Sequence, residues 1–408
     1  MPSASFSPPV STADAASVGQ GDSLPVVPGF GIYLHWPFCR TKCPYCDFNV
    51  HIRERVDDGC WAALLATELA HFRARIGPTA VTSIYFGGGT PSLMAPAAVG
   101  ALIEKIAATW PQAGDVEISL EANPNDWPNF EDYRAAGVTR LSLGVQSFDD
   151  HALCFLGRDH SAATAEEALE RALMLFPEVS CDLIYMLPGQ TVSDWRTLLQ
   201  TSLAKVGKQL SLYQLTIEAG TAFSREADAG RIVLPDSDRA ADLYALSQEL
   251  CDAAGLPAYE ISNHAAPNHR CRHNLTYWQG GDYVGVGPGA HGRRSEDGHR
   301  IATRQYRNPT TWSDAVRQFG HGTEASETLD RTREIEETFM FGLRTVDGVS
   351  RTRFRALFGQ EPEKGCDSKS LEALLRDELV ECDAEGLRAT AAGRPLLDAM
   401  LGRLLVPR

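Results

Sequence analysis

The sequence predicts an α/β protein: a partial (βα)6, TIM-like barrel followed by a small C-terminal winged-helix-like module. Three observations predict it. From about Gly31 to Val206, short β-rich runs alternate with amphipathic stretches, the pattern of parallel strands joined by right-handed crossovers. The side chains best suited to chemistry fall just after those runs, where barrels gather their sites. Beyond about Ala265 the alternation stops, and short helices with one small β element take over.

The six strands are expected at Ile32–His35, Ser83–Phe86, Val116–Leu120, Arg140–Val145, Val179–Tyr185 and Leu210–Ile217, each rich in Ile, Val, Leu or Tyr. Helices are expected between them at Val56–Ile76, Ala95–Trp110, Trp127–Ala136, Ala162–Phe176 and Val192–Val206. A further helix, Pro235–Ala254, and an edge strand, Ala258–Ser262, fit a barrel better than an open dinucleotide-binding sheet. A Gly- and polar-rich stretch, His269 to Asn308, leads to helices at Arg331–Leu343, Arg351–Leu357 and Leu371–Asp377, a β-turn within Leu379–Thr390 and a closing helix in Gly393–Leu405. The chain therefore divides into an extension (1–28), a barrel core (29–265), a connecting segment (266–330) and a winged-helix-like domain (331–408). Acidic and basic residues nearly balance in that last domain, which suits docking or covering better than DNA binding.

Composition sets outer bounds. A content of 43% hydrophobic and 22% charged residues is that of a soluble protein with a sizeable core. A formal charge of −15 argues against a general nucleic-acid binder. No apolar run approaches the ~20 residues a membrane helix needs. The opening stretch is rich in Ala, Ser, Pro and Val, has neither Lys nor Arg, and reads as a disordered extension rather than a targeting signal. Ten cysteines in such a chain point to a reducing compartment, the cytoplasm, and to a metal site.

Three of those cysteines carry the argument. Cys39, Cys43 and Cys46 form a C-x3-C-x2-C loop directly after the first strand. Three thiolates so close together can hold an iron–sulfur cluster and leave its fourth iron without a protein ligand. Zinc would ask for a fourth Cys or His at matching spacing, and none follows. Gly87-Gly88-Gly89-Thr90 follows the second strand; it allows close backbone approach but lacks the Lys-Ser/Thr of a phosphate-binding loop. Glu121, Gln146 and Asp182 lie on the next strands, and Arg158 follows Gln146, so all four would converge over one barrel mouth. Gly285-x-Gly287-x-Gly289 looks like a dinucleotide fingerprint but has no leading βαβ unit, and is discounted.

The cysteine loop resembles that of the radical S-adenosylmethionine (SAM) proteins. The glycine run looks like the family's motif for the SAM amino group, so Gly88, Gly89 and Thr90 are expected there. Tyr33, Tyr45, Glu121, Gln146, Arg158 and Asp182 match SAM-binding positions of one branch, with Tyr45 placed to shield the cluster or stack on adenine. That branch holds oxygen-independent coproporphyrinogen III oxidase and the heme chaperones, and the resemblance runs from about Gly31 to the C-terminus. It implies a [4Fe-4S] cluster on Cys39, Cys43 and Cys46, SAM at the open iron, and reductive cleavage of SAM as the chemistry on offer. Two details separate the siblings. The oxidase pattern continues to a fourth cysteine, where this chain has Phe48, and His273-Asn274-x-x-Tyr277-Trp278 matches the HNxxYW motif of the chaperones. In that branch the resemblance implies heme as cargo, with His273 as an iron contact, Cys271 as a rival ligand, and Tyr277 and Trp278 against the ring. It also implies an acceptor protein for the heme, reached by peripheral association where that acceptor sits in a membrane. The alternative is a radical SAM enzyme of porphyrin metabolism. Met186 departs from the branch, which usually has Gly before Leu-Pro.

Overall fold

The computed structural model describes residues 28–405 apart from position 54. The expected N-terminal extension therefore lies outside the described residues up to position 27. Six strands stand side by side in chain order: β1 (Phe30–Trp36), β2 (Val81–Gly88), β3 (Gln112–Ala122), β4 (Arg140–Gln146), β5 (Glu178–Tyr185) and β6 (Gln209–Gln214). All five pairings between them are parallel. Helices α1 (Asp58–Arg75), α2 (Pro96–Thr109), α3 (Phe130–Ala135), α4 (Ala162–Leu175) and α5 (Val192–Leu203) make the crossovers, and α6 (Ser237–Ala253) follows β6. The barrel is partial. Strand β7 (Asn263–Ala265) closes one edge antiparallel to β6, and among the described residues it does not pair with the opposite edge.

The Gly- and polar-rich stretch, to which no strand was assigned, extends the same sheet. After the short helix α7 (Arg272–Trp278), β8 (Asp282–Val286) pairs parallel to β1, and β9 (His291–Glu296), β10 (His299–Gln305) and β11 (Thr323–Thr328) continue antiparallel. Strands β9 and β10 were hidden because they are rich in arginine and histidine, and β11 because it is polar throughout. Glu68 on α1 binds this limb to the barrel. Its buried carboxylate accepts from Gly287 N at 2.8 Å, Gly322 N at 2.6 Å and Trp312 Nε1 at 3.0 Å. Gly287 stands at φ 98°, where a Cβ would come within 2.4 Å of the His35 carbonyl. Glycine is thus required for packing, and its N–H is already spent, which disposes of a dinucleotide role.

Strand faces explain what the barrel can hold. Outward positions are apolar and pack under the helices: Ile32, Leu34, Trp36, Ile84, Phe86, Leu120, Leu141, Leu143, Leu183, Leu210 and Leu212. Burying each such Leu or Ile contributes about 2 kcal/mol. Inward positions are polar. Tyr33 aligns with Tyr85, Tyr85 with Ser119, Glu121 with Ser142, Ser142 with Ser180, and Asp182 with Ser211. The lumen is therefore a polar cavity rather than a packed hydrocarbon interior.

The C-terminal module has its own apolar cluster, including Phe339, Phe354, Leu374, Leu387 and Met400. Helices α8 (Arg331–Gly342), α9 (Arg351–Phe358), α10 (Ser368–Arg376) and α11 (Leu397–Leu404) surround a three-stranded antiparallel sheet of β12 (Val349–Ser350), β13 (Val380–Cys382) and β14 (Gly386–Ala389). This is the expected winged-helix-like arrangement. It meets the barrel through Arg344–Glu260 at 2.7 Å, Arg270–Asp347 at 2.8 Å and Arg293–Glu337 at 2.8 Å.

Candidate functional site

At the C-terminal ends of β1 to β6 lies a pocket of about 540 Å³. Cys39, Cys43 and Cys46 line one wall; Gly88, Gly89, Thr90, Glu121, Gln146, Arg158 and Asp182 line the rest, with Tyr45 between the cysteines. Sequence reading thus brought together a true constellation from six separate segments. Among the described residues none of the C-terminal module lines the pocket.

The cysteine loop is held on every side. Cys46 N donates to Cys43 O at 3.1 Å, forming the turn that brings these two ligand positions together. Thr90 Oγ1 donates to Cys39 Sγ at 3.3 Å, and Arg158 Nη1 to Cys43 Sγ at 3.6 Å. Arg40 pairs with Asp126, and Phe223 N donates to Pro44 O at 2.9 Å. A backbone ladder pairs Phe38 with His51 and Cys39 with Ile52. Burial pushes the Cys39 thiol up to about 11, against the Thr90 hydrogen bond, and raises Cys46 as well.

The glycine run packs against that loop. Gly88 stands at φ 115°, and a Cβ there would lie 2.6 Å from the His35 ring. Gly88 N donates to Glu121 Oε2 at 3.0 Å, Gly89 N to Trp36 O at 2.7 Å and Thr90 N to Phe38 O at 2.9 Å. All three N–H groups are committed inside the protein, so the run offers no anion nest, in keeping with the missing phosphate-loop residues.

Glu121 also accepts from Tyr85 Oη at 2.9 Å, and Asp182 accepts from Ser142 Oγ at 2.9 Å. Arg158 is further fixed by the Gly144 carbonyl at 2.9 Å, while its buried Nε has no partner among the described residues. Gln146 ends β4 at φ 67°, a left-handed conformation that turns the chain at the rim. Met186 stands at φ 68°, which explains why the branch prefers Gly there; its side chain packs in the core instead. Sequence reading missed Ser142, Asn123, Tyr213 and Gln214, which also line the pocket. For Ser142 and Tyr213 the signal was the alternation of polar with apolar residues along β4 and β6.

Two expected site residues lie elsewhere. Tyr33 is below the pocket, its hydroxyl 3.0 Å from His35 Nδ1 and its ring stacked on Tyr85. His273 is fully buried on α7, which plugs the far end of the lumen. Its Nδ1 bonds Ser83 Oγ at 2.8 Å, its Nε2 bonds Tyr277 Oη at 2.7 Å, and its ring stacks on Tyr85 at 4.9 Å. Burial lowers its pKa to about 3. Both nitrogens are used, so the expected iron contact does not match this geometry. Cys271 is buried beside it, donating to Glu117 Oε1 at 3.3 Å.

The donor set fits the cofactors that the resemblance implied. Among the described residues no three His, Cys, Asp or Glu side chains are set for a single metal ion. Three thiols sharing one pocket suit a cluster, with Cys39, Cys43 and Cys46 as the ligands. Beside them, an orphaned guanidinium N–H, two carboxylates and a glycine-backed wall make a cradle for a zwitterionic, ribose-bearing ligand such as SAM.

Fold and pocket together define a partial-barrel protein with a three-cysteine mouth. Comparison with known proteins narrows this. The radical SAM superfamily profile matches residues 33–201, and that of the HemN C-terminal domain matches residues 329–396. A mouse protein named radical S-adenosyl methionine domain-containing protein 1, mitochondrial, is 40% identical, covering 92% of this chain and 87% of its own. Heme chaperone HemW of Mycobacterium tuberculosis is 36% identical over 94% of this chain and 97% of its own. HemW of Escherichia coli is 35% identical over 92% and 98%. The solved structure of the E. coli coproporphyrinogen III oxidase HemN shares the fold, with a TM-score of 0.77 at 21% identity over 92% of this chain and 89% of that one. The chain belongs to the radical SAM superfamily, in the HemN-like branch close to HemW.

The carboxylates make a testable pH signature. Burial raises Glu121 to about 7 and Asp182 to about 6, from 4.5 and 3.8. A raised carboxyl pKa stabilises the fold below its unfolded value, and that contribution is lost as pH rises through the folded value. Asp182→Asn removes the loss, and serine hydroxyls can turn to satisfy the amide. In the ligand-free protein, the urea midpoint of Asp182→Asn relative to wild type should therefore increase from about pH 4 to about pH 6 and level off above that. A difference that stays flat would show that Asp182 does not titrate in this range.

Proposed function

We propose that this protein binds heme and passes it to an acceptor protein, with a [4Fe-4S] cluster and SAM held at the barrel mouth. The observation that carries the reading is near-full-length similarity to two proteins named heme chaperone, at 36% and 35% identity. Phe48 supports it. It lies on the pocket rim, 63% exposed, where the oxidase pattern has its fourth cysteine.

When bound, a cluster of this kind supplies one electron for reductive cleavage of SAM. The chain's own residues supply position. Arg158 holds a positive charge beside Cys43, Thr90 fixes Cys39, and Glu121 and Asp182 present acceptors across the pocket. Cytoplasmic location and an acceptor at a membrane surface are parts of the same proposal.

The test uses anaerobically reconstituted protein, titrated with heme while SAM cleavage and coproporphyrinogen decarboxylation are assayed in the same tube. Saturable heme binding without decarboxylation is expected. Release of CO2 in proportion to SAM cleaved would replace the chaperone reading with the oxidase one.

A further inference from the structure

Heme asks three things of a surface: an apolar platform for its ring, cations for its two propionates, and a donor for its iron. The outer lip of the cysteine loop offers all three within a few residues. Phe48 is 63% and Ile52 51% exposed, although both are large and apolar. The ladder that pairs Cys39 with Ile52 sets this apolar surface directly behind the first cysteine.

Cations surround it. The Arg53 guanidinium lies 5.1 Å from the Phe38 ring centroid, on the same ladder. Asn49 Nδ2 donates to Pro288 O and Arg307 O, both at 2.9 Å, which brings the exposed Arg307 to the lip. His51 lies near all three: burial lowers its pKa, against a hydrogen bond to the Arg307 backbone, and the charges of Arg53, Lys42 and Arg307 lower it further. Among the described residues none of the three forms an ion pair, in a chain whose formal charge is −15. Asp47 is a carboxylate beside Phe48, but it does not pair with them.

An imidazole completes the set. His291 is exposed at the start of β9, next to the Gly289 that packs on Asn49. Burial and the charges of Arg293, Arg304 and Arg307 favour its neutral form, the form that binds iron. His51 is a poorer donor because its Nε2 is buried.

We propose that heme docks on this lip, its ring over Phe48 and Ile52, its propionates at Arg53 and Arg307 with Lys42 beside them, and His291 toward the iron. The proposal rests on the heme-carrying reading and specifies its site. It also assigns a use to Phe48: the position that loses a cysteine gains the ring's platform.

The full-length protein, reconstituted with its cluster, is titrated anaerobically with heme and followed by absorbance. The variants are Arg53→Glu/Arg307→Glu, Phe48→Ser, His291→Ala and His273→Ala. Iron and sulfide contents confirm that the loop has folded in each. The double charge reversal should weaken heme binding by about 30-fold, as expected for two lost charge-assisted contacts. Phe48→Ser should also weaken it. His291→Ala should lose the imidazole-ligated heme spectrum, and free imidazole should restore it. Wild-type binding by all four variants, or a loss confined to His273→Ala, overturns the lip site while leaving heme carriage intact. A wild-type protein that binds no heme removes the underlying reading, and the site with it.

Discussion

Replacing Cys39, Cys43 or Cys46 by alanine is expected to abolish stable cluster binding, taking iron from about four per chain to less than one. The expectation follows from the donor count. The pocket offers three thiols and, among the described residues, no group arranged to take the place of a lost one. Arg158, which bonds Cys43 Sγ at 3.6 Å, is a cation and cannot serve as a ligand. Cys43 and Cys46 are half-buried, so their loss should cost the empty fold only about 1 kcal/mol. The matched control is Cys60→Ala, an exposed thiol on α1 that should retain full iron content. Iron and sulfide analysis with the visible spectrum decides the matter. A variant that keeps its cluster would mean that the site is not the one described. Loading should also release protons and quicken with rising pH, because burial holds the empty Cys39 thiol up to about 11.

Much of this site was legible in the chain because each part sits beside a local signal. A β-rich run followed at once by Cys39, by Gly87-Gly88-Gly89 or by Glu121 is enough to place those residues at one barrel mouth. What stayed hidden depends on contacts distant in sequence. The strands β9 and β10 lack a β-rich signature because they are rich in Arg and His, and the limb is positioned by β1 and by Glu68, more than 200 residues away. His273 looked like a ligand because a lone histidine in a motif carries no sign of its surroundings. Only the fold shows Ser83 and Tyr277 on its two nitrogens. The polar lumen was visible all along in the alternating Arg140-Leu-Ser142-Leu-Gly144-Val-Gln146 of β4. A parallel strand buried on both faces would instead read as continuously apolar.

The floor of that lumen is where the fold should be most fragile. Arg140→Met is expected to cost about 3–5 kcal/mol, the range for breaking a buried ion pair by removing one partner. Arg140 Nε donates to Glu117 Oε2 at 2.9 Å, with side chains 4% and 3% exposed. Arg140 also bonds Gln209 and sits 3.8 Å from Glu178. Glu117 in turn accepts from Arg272 N at 3.2 Å and His273 N at 3.1 Å, fixing the start of α7. Burial alone would raise the Glu117 pKa, but Arg140 and these N–H donors hold it below 4.5. Its contribution is therefore present above pH 4.5 and lost as pH falls through the folded value. Without Arg140 that carboxylate is left buried with no counter-charge of comparable proximity. The plug it anchors carries His273 against Tyr85, and Tyr85 holds Glu121 at the pocket. Urea denaturation should show Arg140→Met as less stable than the double variant Arg140→Met/Glu117→Leu, in which no charge is stranded. Equal midpoints for the two would mean that the pair's electrostatics matter little and that packing alone seats the plug. The order should persist at high salt, since a pair this deeply buried is screened far less than one on the surface.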